Sequence, residues 1–356
     1  MTSNNPRLFG IKNSNRDFKN YDTWGKNQFN SSFPASLACF MFSRGILPVY
    51  LKANKDLKST VDYISVDKLF GVSPLSDNTF YAFETQYLQY SKYIIGNLPR
   101  NDLVIQEMST GKCISSFEIK LTALPDNATC LMNEEEYGSE IVVRPDTIIY
   151  LACSYIKSLN ENRDLIRQIF SIGDKIIDWE NANEIIRYIK DILDEIKQLS
   201  LKIINNQTPI VIQPVWRTEG KSPKLSENCL DIFIWSNVNM LNLFIPSDDQ
   251  EFISISRHTR TLIWLYKMLY DYMRNGQFNG SEIIDRLSYN TKNDKAFSTN
   301  GSRTRVLMES EEIKCPRIKK SEIKRIILGG GQNMLSPERR FDAIIFNSPD
   351  LFEEEK

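Results

Sequence analysis

Apolar and polar positions change period several times along the 356-residue chain, and each change marks an element. The first 32 residues are polar, rich in Asn and poor in carboxylates. FPASLACFMFSRGILPVYL (33–51) then reads as a helix, a break at Gly45 and a short strand. FYAFETQYLQYSKYII (80–95) has helical periodicity and ends at Gly96 with Pro99 just beyond, which predicts a helix. The period shortens over 102–124, where DLVIQEM, a turn at 109–112 and CISSFEIKLTAL predict a β-hairpin. Pro145 or Asp146 opens a helix reaching about Leu159, and two more long helices are expected between about Glu161 and Asn205. Their charges recur at i,i+3 and i,i+4, as in RYIKDILDEIKQ, which suits helices paired as a hairpin with one face in solvent. TPIVIQPVW (208–216) and 229–235 read as strands, 251–274 as a helix and 275–300 as loop-rich. The text holds no internal repeat, and its only biased tract is the acidic end, FEEEK.

Composition adds few constraints. With 41% hydrophobic and 25% charged residues the chain is ordinary for a globular protein, able to bury roughly three quarters of its unfolded surface. No apolar run approaches the ~20 residues that span a bilayer, and MTSNNPRLFG lacks the apolar stretch of a signal peptide. The expectation is a cytoplasmic protein with no membrane partner. The six cysteines (39, 113, 130, 153, 229 and 315) form no CxxC pair and there is one histidine, His258, so reduced and mostly buried thiols are expected rather than disulfides or a zinc site. A net charge of -1 neither announces nor excludes a polyanionic partner, because a basic cleft can sit on a neutral protein.

The hairpin carries the candidate chemistry. Phosphodiester hydrolysis needs a metal ion to offset developing charge and benefits from a cation near the attacking water. Magnesium takes hard oxygen ligands, usually one or two carboxylates with several waters. Strand alternation places Phe117, Ile119, Leu121 and Ala123 on one face and Ser116, Glu118, Lys120 and Thr122 on the other. A turn centred near Gly111 sets Asp102 beside Lys120 and Val104 beside Glu118, although a one-residue slip puts Asp102 on the opposite face. Glu-x-Lys is a weak string, and EIK recurs at 195–197, 312–314 and 322–324. Only the copy at 118–120 follows an apolar strand headed by an Asp. The alternative is an ordinary exposed ion pair on an edge strand. In the expected helix 80–95, Phe80, Glu84, Tyr87, Leu88 and Ile95 share a stripe. A carboxylate there is costly unless partnered, so Glu84 is a candidate second-metal or water ligand, or else reaches solvent from the stripe's edge.

Asp102 followed by Glu118-Ile119-Lys120 resembles the PD-(D/E)xK nuclease signature, with Asn101 where the nominal proline stands. More specifically, FGIKNSNRDF (9–18), WGKNQFNSSFPASLA (24–38) and FEIKLTALPD (117–126) resemble the HindVP family of type II restriction endonucleases. The resemblance implies an α/β fold: a PD-(D/E)xK nuclease core, a mixed central sheet flanked by helices, with a helical insertion. The parts expected are an N-terminal segment and catalytic core (1–160), a helical hairpin insertion (161–206) and the rest of the core with a DNA-recognition region (207–356). It implies Mg2+ held by Asp102, Glu118 and the carbonyl of Ile119, with Lys120 orienting the attacking water. It further implies double-stranded DNA cut at a short degenerate palindrome, GRCGYC, with 5′-phosphate ends, beside a cognate DNA methyltransferase. A homodimer is the simplest means of cutting a palindrome symmetrically. A repair or junction-resolving nuclease, or a non-catalytic DNA-binding protein, is the rival reading.

Local basic and amide-rich runs are the candidate DNA contacts. Residues 12–30 carry Lys12, Arg16, Lys19, Lys26, Asn27 and Gln28 against Asp17 and Asp22, and these types read base edges or hold phosphates. IKCPRIKKSEIKR (313–325), with Lys319 and Lys320, suits phosphate gripping. WRTEGKSPK (216–224) adds Arg217 and Lys221. Each run reads equally as a solvated surface. His258, between Arg257 and Arg260, has no matched Asp or Ser partner in the text, so it is expected to be structural or to touch phosphate. Gly329–Gly331 lacks the GK[ST] ending of a phosphate loop and is expected to be a tight turn.

Overall fold

Among the described residues, a mixed sheet of eight strands, in the order β1-β4-β5-β6-β8-β11-β2-β3, organises the computed structural model. The strands are β1 (Asn13–Ser14), β2 (Val49–Ala53), β3 (Ser59–Tyr63), β4 (Thr79–Thr85), β5 (Asn101–Glu107), β6 (Cys113–Ile119), β8 (Pro209–Pro214) and β11 (Ile232–Ser236). Two short antiparallel pairs stand apart: β7 (Val142–Val143) with β12 (Phe297–Ser298), and β9 (Arg217–Glu219) with β10 (Ser222–Lys224). The helices are α1 (Lys26–Ser43), α2 (Val66–Phe70), α3 (Pro145–Ser158), α4 (Arg163–Ile169), α5 (Ala182–Lys202), α6 (Asn237–Asn242), α7 (Arg257–Asn275), α8 (Gly280–Arg286), α9 (Gly301–Met308) and α10 (Glu311–Lys314). The structure describes residues 8–16, 26–120, 140–214, 217–219, 222–224, 232–246, 252–289, 297–314, 318–319 and 322.

The sheet is covered on both faces, so its central strands are apolar on both sides rather than alternating apolar and polar. Tyr81, Phe83, Leu103, Ile105, Phe117, Ile119, Ile212 and Ile234 pack with α1 and α2 in one core. Ala82, Val104, Val211, Phe233 and Trp235 pack in the other core with α3, α5 and α7. This is the mixed central sheet flanked by helices that the sequence leads one to expect.

Three local expectations change. Residues 80–95 are not a helix: they form β4 and then a 3-10 turn, Leu88–Tyr93. FYAFET is aromatic text whose successive side chains enter opposite cores, Tyr81 and Phe83 on one side and Ala82 on the other, as in a fully buried strand. Leu88 and Ile95, expected on the apolar stripe, are exposed. Of the two long helices expected after 161, the first is only α4, seven residues capped by the Asn162 side chain, whereas α5 runs 21 residues. The stretch 275–300 contains α8 and β12, with 290–296 outside the described residues.

The β5–β6 hairpin forms with a register different from the expected one. Leu103 pairs with Phe117, Val104 with Ser116 and Ile105 with Ser115, and a bulge follows between Ile105 and Gln106. The ladder is shifted two residues from the sequence expectation, so Asp102 lies opposite Glu118 rather than Lys120. A two-residue shift preserves the face of every side chain, so Asp102 and Glu118 still share one side. β6 continues the sheet by pairing in parallel with β8, Glu118 beside Val211 and Ile119 beside Ile212.

Among the described residues Cys39, Cys113 and Cys153 are free and buried, as expected, and Cys130, Cys229 and Cys315 lie outside them. No helix among the described residues is long and apolar enough to cross a membrane. Ile212 is fully buried on the strand joining the hairpin to the rest of the sheet. Ile212→Ala is expected to destabilise the protein by about 2–5 kcal/mol in urea unfolding. A loss below about 1 kcal/mol contradicts the central placement of β8.

Candidate functional site

The ends of β5 and β6 bring Asp102, Glu118 and Lys120 together. Asp102 is the second residue of β5 and Glu118 the next to last of β6, with Lys120 one step past the strand. Asp102 Oδ2 accepts the backbone N–H of Ile119 at 2.6 Å, which ties the two strand ends together. Glu118 is 7% exposed. Its Oε1 accepts from Lys120 Nζ and, at 2.8 Å, from the hydroxyl of Thr147. The pair is therefore buried between the hairpin and a helix, not displayed on an exposed edge strand.

The helix is α3, and its sequence explains its start. Pro145 occupies the first turn, where its missing N–H costs nothing, and Asp146 complements the helix dipole. Thr147 is buried one residue further on and faces the site. Arg144 and Asp146 flank it and shift the charges within. The helix lies where its Pro-Asp start predicts, but nothing in the neighbouring sequence joins its first turn to the hairpin.

The electrostatics follow from burial. Asp102 is pushed up from 3.8 to about 7, first because burial removes water and second because Glu118 is a like charge. Lys120, the Ile119 amide and Arg144 work in the opposite direction. For Lys120 burial disfavours the ammonium, but Glu118 and Asp102 outweigh it and its pKa rises. Asp146 is also raised, by burial and then by Glu118. Two carboxylates are thus held close with Lys120 as their nearest cation, an arrangement that a second cation relieves.

The donor set fits magnesium. Among the described residues no three of His, Cys, Asp and Glu form a metal-binding cluster. Magnesium does not require one, since one or two carboxylates with waters suffice. Asp102 and Glu118, opposite one another on adjacent strands, supply hard oxygens, and the Ile119 carbonyl is a third donor within the same turn of chain.

Glu84 belongs to β4, not to a helix. The β4–β5 register pairs Phe83 with Leu103 and Thr85 with Asn101, which sets Glu84 across from Asp102. Its φ of +49° is left-handed, a conformation that costs a non-glycine residue energy and clusters at functional sites. Its half-exposed carboxylate lies 3.2 Å from Arg16. Arg16 also donates to Ser32 Oγ and stacks 4.4 Å over the Phe83 ring. Burial lowers the Arg16 guanidinium to about 10, against the pull of Glu84 and Asp102. Asn15 fixes this corner by bracketing Phe83: its Nδ2 donates to the carbonyl at 2.8 Å and its Oδ1 accepts the amide at 2.9 Å. Arg16 and Glu84 are therefore both brought to the edge of the Asp102 site.

The other candidates stand differently. Lys12 is exposed and paired with Asp77 at 2.9 Å. Lys26, Asn27 and Gln28 open α1 and Arg217 opens β9, but their side chains lie outside the described residues, as do Lys19, Lys221, Lys320 and Gly329–Gly331 altogether. Lys319 is exposed beside Ile318, which is buried in the core under α1. Burial, Arg257 and Arg303 push His258 down to about 4, leaving it neutral at ordinary pH. The EIK copy at 195–197 lies in α5, where Glu195 accepts from Ser171, Ile172 and Tyr266. The copy at 312–314 lies in α10, and of that at 322–324 only Glu322 is described.

Comparison with known proteins gives a consistent result. The family model for the HindVP restriction endonuclease matches residues 24–352. The type II restriction enzyme HgiDI of Herpetosiphon aurantiacus is 45% identical over 99% of this chain and 98% of its own length. The probable type II restriction enzyme HindVP of Haemophilus influenzae is 48% identical over 98% of this chain and 95% of its own length. No solved structure matches the chain. The match extends from before α1 to beyond the last described residue, and by it this chain belongs to the HindVP restriction endonuclease family.

Proposed function

We propose that the protein is a magnesium-dependent type II restriction endonuclease that hydrolyses phosphodiester bonds of double-stranded DNA. The observation that carries this reading is the half-buried Asp102 beside the buried Glu118, with Lys120, at the end of one hairpin. That arrangement has the content of a PD-(D/E)xK core, and the named relatives are restriction enzymes.

Asp102 and Glu118, with the Ile119 carbonyl, would hold the ion. When bound, magnesium supplies positive charge to the phosphate and acidifies water. The chain's own groups do the rest. Lys120, paired with Glu118 in the metal-free chain, would face the scissile phosphate and orient the water for in-line attack, leaving 5′-phosphate and 3′-hydroxyl ends. Thr147 fixes the Glu118 carboxylate by donating to it, and Glu84 completes the acidic rim beside Asp102. Arg16, beside Glu84, would take a phosphate at that rim. Lys26, Asn27, Gln28, Arg217, Lys221, Lys319 and Lys320 are the further proposed DNA contacts. The proposed site is GRCGYC, cut by a homodimer and protected by a partner methyltransferase, with 161–206 as an insertion in a core formed by 1–160 and 207–356.

Digestion of plasmid DNA with Mg2+ and sequencing of the ends tests this reading. Discrete fragments with 5′-phosphates at one palindrome are expected, and a smear or structure-specific nicking overturns it. Lys120→Ala and Glu118→Gln are each expected to lose about a hundredfold or more in cleavage rate. Full activity in Lys120→Ala removes Lys120 from the site.

Acidity gives a separate test. Asp102 binds its proton more tightly in the folded, metal-free protein (about 7) than when unfolded (3.8). Its contribution to stability is therefore complete below about pH 4 and lost as pH rises through about 7. The melting temperature of the metal-free wild type should fall more steeply than that of Asp102→Asn between about pH 5 and pH 8. Parallel profiles contradict a proton-binding Asp102.

A further inference from the structure

The parallel pairing of β6 with β8 brings one more polar side chain to this site. Ile119 lies beside Ile212, and the Lys120 amide donates to the Ile212 carbonyl at 3.1 Å. The next residue along β8, Gln213, therefore flanks Lys120. Val211 packs in the core under α3 and Ile212 in the core under α1, so alternation returns Gln213 to the α3 side, where Glu118 lies. Gln213 is only 5% exposed, and its Oε1 is buried with no hydrogen-bond partner among the described residues. A buried amide carbonyl without a donor costs stability, and an orphan of this kind in a native fold calls for an explanation.

The donor that matches it is alongside. Lys120 carries three N–H donors and no acceptor, and its ammonium is engaged with Glu118. We propose that Gln213 is a positioning residue for Lys120. When Glu118 is committed to the cation, Gln213 Oε1 accepts from the Lys120 ammonium and keeps it turned toward the scissile phosphate. The orphan acceptor is thus the second resting place of a lysine that must exchange partners. This inference rests on the role proposed above for Lys120.

The test compares full-length wild type with Gln213→Met, which keeps the length of the side chain and removes the acceptor. Three quantities are read: the melting temperature without metal, the affinity for the DNA target in Ca2+, and the single-turnover cleavage rate in Mg2+. The expected result is an equal or higher melting temperature, an affinity within about twofold, and a cleavage rate lower by roughly tenfold or more. Gln213→Glu keeps an acceptor toward Lys120 and should cleave faster than Gln213→Met. Wild-type cleavage by Gln213→Met overturns the proposal, and so does a rate loss matched by a fall in melting temperature. If Lys120→Ala cleaves normally, the reading of the site has failed; if Lys120→Ala is dead while Gln213→Met is fully active, only the role of Gln213 has failed.

Discussion

Asp102 and Glu118 face each other across the β5–β6 ladder, and the rest of the site is arranged around these two neighbouring carboxylates. Burial first and the like charge of Glu118 second raise the cost of ionising Asp102. The fold tolerates the pair by surrounding it with donors: the Ile119 amide for Asp102, and Lys120 and Thr147 for Glu118. In the proposed function a bound cation adds the positive charge that two neighbouring carboxylates favour.

The surrounding architecture keeps this geometry from relaxing. The hairpin cannot splay, because its outer neighbours β4 and β8 extend the sheet and both faces are packed. The first turn of α3 closes one side with Thr147, Asp146 and Arg144. At the other edge the Asn15 amide continues the ladder past the end of β1 and holds the strained Glu84 corner and Arg16 against β4. The strands carry Asp102 and Glu118, and in the proposed reaction Lys120 is the group that exchanges partners.

How much of this was legible in the sequence depended on the range of the interaction concerned. Strand alternation alone put Glu118 and Lys120 on one face, and it tolerated a register error of two residues for Asp102 because side-chain facing has a period of two. The turn closes nearer Ser109–Thr110 than Gly111, and the one-residue bulge at Ile105–Gln106 corrects only part of that offset; no glycine announces the bulge. Glu84 stands out in the sequence as a carboxylate in apolar text, but it lies on a strand rather than a helix and its carboxylate is half-exposed beside Arg16, since FYAFETQY satisfies both a helical and a buried-strand pattern. Asp146, Thr147 and Gln213 could not be found locally. Their relevance comes from packing of α3 on the hairpin and from a parallel pairing between segments far apart in the chain, and neither leaves a mark in the neighbouring residues. Arg16 was legible as a basic residue, but its partners on β4 were not.

The most direct test of the account is where a divalent ion binds. In crystals grown with Mn2+ in place of magnesium, anomalous scattering should show an ion bonded to carboxylate oxygens of Asp102 and Glu118 and to the Ile119 carbonyl, and Asp102→Asn should abolish that peak. An ion bound elsewhere on the chain, or a peak that survives Asp102→Asn unchanged, contradicts the claim that the carboxylate pair is the metal site.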